Sequence, residues 1–314
     1  MNEWVHHPFL ALRSIGAEPA EHYKRLRSEQ TVSELIRLAQ CRAVFLDIAQ
    51  GDRRPLARQD VTGNPFRICI HRGLDLQETQ HDSFRLPTNK DISIWRYMDL
   101  AKYLSMLDRR CLFFSRATHL GDPFEGSATK VMVSTREYIR ANRATDPALA
   151  AYKDAPDIMF SGTGDMFKGL VQSYLISCWH MNEHESAAMW KLYSSSDEAV
   201  CIRSTYRRLR MCLPECVFVG EVSYINYETE GFQAGQGFNY IMHKRLSFAH
   251  ERELRAIFWD MAGIPEAQPY KAKIEPSGLA IEVDLPTLNE RVYVSPTAAP
   301  WLANLVGAMT AKCG

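Results

Sequence analysis

The sequence predicts an α+β fold: a mostly antiparallel, twisted sheet with helices packed on it. Residues 92–115 read as strand, helix, strand. From residue 175 onward short runs of β-branched and aromatic residues dominate, with helical stretches between them. Composition agrees: of 314 residues, 46% are hydrophobic and 24% charged, the balance of a globular protein with ample core.

The elements follow in order. Thr31-Val32-Ser33-Glu34 has capping-box spacing and opens the apolar run Leu35, Ile36, Leu38, Ala39, which predicts a helix over 31–41. Residues 43–48 fit a continuation of it or a strand, 51–63 are loop-like, and Phe66–Ile70 fits a strand. We expect residues 1–90 to form an N-terminal extension packed on an α+β main domain of residues 91–314. The 31–41 helix has an apolar face that needs a partner.

Ile92, Ile94, Trp95 and Tyr97 form a strand pattern, and Asp99 can cap the helix that follows. Leu100, Ala101, Tyr103, Leu104 and Leu107 make one apolar stripe of about two turns. Cys111–Ser115 is a second strand, and the loop 121–126 reads Gly-Asp-Pro-Phe-Glu-Gly. Residues 127–172 are mostly helical in composition, with a loop at 145–147. The turn Ser161–Asp165 lacks the Lys-Ser/Thr of a phosphate loop.

Leu175–Trp179 reads as a strand, His180–Glu185 as a polar turn, Ala187–Tyr193 as a helix and Ala199–Ile202 as a strand. Val217–Tyr224 reads as a strand, Phe232–Tyr240 as a mobile loop and His243-Lys244-Arg245 as a basic turn. Glu251-Arg252-Glu253 leads into a strand ending at Trp259. A turn at Pro276-Ser277-Gly278 precedes a strand over 279–285, and Val292–Val294 is another. Ser295 caps and Pro296 opens a last helix, with Trp301, Leu302, Leu305 and Met309 inward.

Several classes are disfavoured. Formal net charge is zero, so no broad electrostatic footprint for nucleic acid or anionic membrane is expected. No run of about 18 apolar residues suggests a membrane span. The first ten residues lack the pattern of a signal peptide. The eight cysteines are scattered without a CxxC, so a reduced, cytoplasmic setting is expected. Cys178, His180 and His184 invite a metal reading, but no fourth ligand stands at a recognised spacing. His6-His7 reads as an exposed tail.

The motifs WRY after a strand, LFFS, DPFEG, SCW followed by MWKLY, and a late ERELR resemble an uncharacterised domain family of bacterial proteins. That family has an aromatic-Arg/Lys-Tyr strand, an Asn-Asp-Pro-Phe-Glu loop, a Trp-x-x-Tyr helix and a Glu-x-Glu-x-Arg strand. The resemblance covers roughly residues 92–295, and Gly121 departs from it where the family often has Asn. It brings no activity with it.

The order Arg96, then Ser177, then Glu251-x-Glu253 is similar to that of ADP-ribosyltransferases. This resemblance implies NAD as substrate, with Glu253 and Glu251 catalytic. Cleaving the nicotinamide–ribose bond passes through an oxocarbenium-like centre, which a carboxylate stabilises. An Arg grips a pyrophosphate with a bidentate fork, and Ser177 can orient the carboxylate. Tyr97, Trp190 and Tyr193 could stack on a ring. Ser115, Asp122, Glu125 and Arg255 complete the candidate binding set, and Arg96, Asp122, Glu125, Glu253 and Arg255 are expected to converge on one cleft.

The same residues also have a structural reading. Arg96 can pair with Glu125 or Asp122, Glu253 with Arg255, and Trp190 with Tyr193 in a core. Three function classes therefore stand. The first is an NAD-processing transferase or glycohydrolase, such as a phage-defence or toxin effector. The second is a metal-dependent nucleotide or nucleic-acid hydrolase using Asp122, Glu125, Glu251 and Glu253. The third is a non-catalytic sensing or interaction domain.

Overall fold

A computed structural model describes residues 81–155, 160, 170–193, 197–234, 236–260 and 274–313. The chain divides into two units, Met1–Pro55 and Leu56–Gly314, and all described residues belong to the second. The helix expected over 31–41, the strand at 66–70 and the turn at 161–165 lie outside them.

The strands are β1 (Ser93–Asp99), β2 (Cys111–Arg116), β3 (Tyr174–Met181), β4 (Ala199–Thr205), β5 (Val217–Glu221), β6 (Ser223–Ile225), β7 (His243–Arg245), β8 (Glu253–Trp259), β9 (Gly278–Glu282) and β10 (Arg291–Val294). The helices are α1 (Leu100–Arg109), α2 (Lys130–Asn142), α3 (Ala187–Tyr193), α4 (Tyr206–Cys212), α5 (Asn239–Met242), α6 (Leu285–Leu288) and α7 (Pro300–Cys313). The fold is α+β with a mostly antiparallel sheet, as the strand patterns predicted. Eight strands form it, and β6 and β7 make a small parallel pair beside it.

The sheet is forked. On one side β3 pairs with β8 along its whole length, Tyr174 with Trp259 through His180 with Glu253. On the other side two strands share it. β1 holds Ile94 against Met181 and Trp95 against His180. β2 holds Ser115 against Ile176 and Arg116 against Leu175. Ser177, Cys178 and Trp179, between those registers, have no ladder partner there. Past this point β1 follows β4 and β2 follows β9, so two arms diverge from β3.

Helix α1 closes the top of the fork. Asp99 caps it by accepting from the Lys102 amide at 2.8 Å, and Arg110 ends it in the left-handed region at φ 50°. Its buried face, Tyr103, Met106 and Leu107, joins the main core with Ile94, Met98, Phe114, Leu175, Trp179 and Leu254. That core lies on one face of the sheet. The opposite face carries two smaller apolar clusters, one around Tyr174, Ile176, Phe238 and Ile257, the other around Trp95, Tyr97, Met189 and Trp190. Phe84 is buried in the first of these, and Arg85 bridges to Glu221 on β5.

Several expectations need correction. His180 and Met181 continue β3 instead of forming a turn, because both are buried between β1 and β8. The basic triplet His243–Arg245 is a strand paired with β6, and its Lys244 meets the carboxylates of Glu251 and Glu253. Residues 217–224 break at buried Val222 into β5 and β6, which belong to different sheets. The strand after Gly278 stops at Glu282, and Leu285–Leu288 is helical. The last helix starts at Pro300. It buries Leu302 and Val306 while Trp301 stays 51% exposed and Leu305 37%. Helix α4, capped by Thr205, was not anticipated.

Candidate functional site

Side chains alternate across a strand, so the faces of β1, β3 and β8 sort the candidate residues. Arg96 and Ser177 start from the main-core side. Tyr97, Cys178, His180, Glu253 and Arg255 start from the other, where they form a polar seam between the two small apolar clusters.

The seam is an ion network centred on Arg255, which is fully buried. Its Nε and Nη2 donate to Glu253 at 2.9 and 3.0 Å. Nη1 and Nη2 donate to Glu125 at 2.6 and 3.1 Å, and Nη1 also reaches the Ile241 carbonyl at 2.5 Å. All five guanidinium N–H groups are thereby used. Lys244 adds a second cation, 2.5 Å from Glu251 and 3.5 Å from Glu253. Burial opposes the charge on Glu253, but Arg255 and Lys244, with hydrogen bonds from Arg255 and Cys178, outweigh it and hold its pKa at about 2. The Glu253 amide donates to the Tyr224 hydroxyl at 2.8 Å.

Two backbone devices aim the carboxylates. The Asp122 side chain accepts from the Phe124 amide at 3.0 Å, folding the Asp-Pro-Phe-Glu turn. Gly126 follows at φ +73°, where an added Cβ would meet Val171 at 2.2 Å, so the chain turns Glu125 inward beside it. Arg252, at φ 41°, joins the preceding 3₁₀ turn to β8. A left-handed non-glycine residue costs on the order of 1–3 kcal/mol. Asp122 itself pairs with Arg245 at 2.7 Å, whose guanidinium stacks 4.6 Å from the Phe124 ring and 5.1 Å from the Phe248 ring.

Arg96 stands apart from this network. Its guanidinium sits in the fork, donating to the Ser177 hydroxyl and, at 3.0 Å, to the Phe113 carbonyl of β2. Ser177 also accepts from the Trp179 indole at 3.2 Å, and the Arg96 guanidinium lies 5.7 Å from that ring. No carboxylate pairs with Arg96 among the described residues, and burial pulls its pKa down to about 10. The pairing of Arg96 with Glu125 or Asp122 is therefore corrected: those carboxylates belong to Arg255 and Arg245. Cys178 lies between the two regions, sensed electrostatically by both Arg96 and the Glu253–Arg255 pair.

The aromatic candidates divide as well. Tyr97 is buried, packs edge-on against Trp190 at 5.0 Å and accepts from the Ser186 amide at 2.8 Å. Trp190 is buried and donates to Glu185 at 3.2 Å. Of the three, only Tyr193 offers an exposed ring, at 45%. Burial first, then Glu251, Cys178 and Glu253, raises its pKa, so its hydroxyl end lies toward the carboxylates. Ser115 marks the base of the fork, opposite Ile176.

The structure thus brings together Glu125, Glu251, Glu253 and Arg255, with Asp122 on the neighbouring Arg245. It puts Arg96 with Ser177. Lys244 and Tyr224 were missed, and His180 was weighed only as a metal ligand. Lys244 was hidden in a basic triplet read as a turn, although its partners Glu251 and Glu253 follow within ten positions and the apolar run Tyr240-Ile241-Met242 just before it was a signal. Among the described residues no group of three His, Cys, Asp or Glu side chains could hold a metal ion. An open depression of about 560 Å³ lies elsewhere, between α6, β10 and α7, and is lined by none of the candidate residues.

No helix of the described residues is long and apolar enough to cross a membrane. Comparison of the chain with protein-family models, curated proteins and solved structures finds no match in any of the three.

Proposed function

We propose that this chain binds and cleaves NAD, as an ADP-ribosyltransferase-like transferase or an NAD glycohydrolase. One observation carries the reading: the Arg96 guanidinium lies desolvated in the fork with no carboxylate partner among the described residues. Arg96 is half-buried; a partly desolvated cation without a counter-charge is costly, and an anionic ligand would supply one. Arg96 would grip the pyrophosphate. Glu253, ionised at any working pH, would face the positive charge that develops on the ribose as nicotinamide leaves. Tyr193 offers an exposed ring beside the carboxylates for stacking.

A second reading, binding without cleavage, is favoured by the network itself. Glu253 is already matched by Arg255 and Lys244, which blunts the field it can offer a substrate. The hydrolase reading draws least support, because Asp122, Glu125, Glu251 and Glu253 each face a protein cation where a metal would stand.

Incubating the pure protein with NAD and measuring nicotinamide release tests the proposal. Glu253→Gln should cut release about 100- to 1000-fold, while Arg96→Ala should chiefly weaken binding. Binding of NAD without any release leaves the second reading standing. Neither binding nor release removes both.

A further inference from the structure

One buried polar atom of the seam is left unmatched. His180 is 6% exposed. Its Nδ1 lies 2.6 Å from the Glu251 carbonyl oxygen. A carbonyl only accepts, so Nδ1 carries the proton and Nε2 presents a bare lone pair. That Nε2 is buried and has no hydrogen-bond partner among the described residues.

We infer that His180 is the general base of the reaction, accepting the proton of the attacking nucleophile at Nε2. The inference rests on the NAD-cleavage reading above. Its first support is position. His180 and Glu253 stand directly opposite each other on β3 and β8. Side chains so paired share a face, with Cβ atoms about 5 Å apart. The base is therefore adjacent to the carboxylate that faces the ribose.

The second support is that the competing bases are occupied. Glu251 is 2.5 Å from the Lys244 ammonium, and Glu253 is held by Arg255 and Lys244. Arg255 and Lys244 hold the Glu253 carboxylate ionised, which makes it a weak base.

The third is protonation state. The titratable or charged groups facing the imidazole are Tyr97 from β1, Glu253 from β8, and His250 and Arg252 flanking Glu251. Lys244 stands one group further out, on Glu251 and Glu253. Burial, then Arg252 and His250, lowers the imidazole pKa against the raising effect of the Glu251 carbonyl. His180 is neutral at pH 7 and ready to accept.

In the step, the O–H bond of water or an acceptor hydroxyl breaks and its proton passes to Nε2. The oxygen bonds to ribose C1′. The C1′–N bond breaks, and its electron pair returns to the pyridinium nitrogen, so nicotinamide leaves neutral. The imidazolium then releases its proton to solvent.

His180→Asn tests this on the full chain, because an Asn amide can still donate toward the Glu251 carbonyl but offers no acceptor at the Nε2 position. Nicotinamide release, kcat, KM and melting temperature are measured on both proteins between pH 5 and 9. The variant should melt with the wild type, keep its KM and lose about 100- to 10,000-fold in kcat. The wild-type rate should fall as pH drops below the ordinary imidazole range, and the variant should lack that limb. A folded His180→Asn protein with wild-type kcat overturns the inference and leaves the NAD reading intact. If the variant does not fold, the wild-type profile decides, and a rate that stays flat from pH 7 down to the acid edge of the folded state overturns it. A wild type that releases no nicotinamide overturns both.

Discussion

Arg255 and Arg96 are guanidiniums of one sheet with opposite surroundings. Arg255 spends every N–H on two carboxylates and a carbonyl. Arg96 meets a hydroxyl, a carbonyl and an indole face, with no anion among the described residues. The first arrangement closes on itself and fixes Glu253 and Glu125 in place. The second leaves a charge unanswered, and unanswered charge is the physical mark of a binding position.

The largest effect should come from opening the closed region. Arg255→Met would strand the buried Glu125 and Glu253 carboxylates and destabilise the fold by about 3–5 kcal/mol, read by urea unfolding. A cost under about 1 kcal/mol would show that the network is not the scaffold.

Acid should act on the same region without mutation. The folded pKa of Glu253 lies near 2, below its ordinary 4.5. A depressed pKa gives stability that is full above the ordinary value and fades as pH falls through the folded one. On the order of 3 kcal/mol should be lost between about pH 4.5 and 2. Glu253→Gln should flatten that part of the stability curve.

Arg96→Met should cost much less, about 1 kcal/mol, because it trades two hydrogen bonds for relief of a desolvated charge. If it unfolds as readily as Arg255→Met, the contrast between the two regions fails. An effect of similar size sharpens the comparison most. NAD at about ten times its dissociation constant should stabilise the wild type by about 1.4 kcal/mol and Arg96→Met not at all. Equal stabilisation of both would place the ligand away from the fork.

What the sequence disclosed followed the range of its signals. The β-branched and aromatic run Ile94–Tyr97, the Asp99 cap and the Glu253–Arg255 spacing are local, and each appears as read. The partner of Arg255 is Glu125, 130 positions away, and no local pattern selects it over Arg96. Charge misled where it was buried: Lys244 looked like part of a basic turn although its carboxylates lie within ten positions, and His180 looked like a turn residue because its partner Glu251 comes from 71 positions away. The last helix was read out of phase, since it is apolar on more than one face and its start was placed at Pro296.

The forked sheet has a consequence for assembly during synthesis. β3 is buried along most of its length, and its full-length partner β8 emerges from 73 (His180 to Glu253) to 85 (Tyr174 to Trp259) positions later. At about 5–20 residues per second, that edge waits roughly 4–17 s on the ribosome. An apolar, unpaired strand left open for seconds is a template for wrong pairing. Nascent chains stalled before residue 253 should bind chaperones through residues 174–181 and shed them once β8 is out, which crosslinking at staged stall points would read. Full-length and stalled chains that crosslink alike would show that β3 finds cover before β8 arrives.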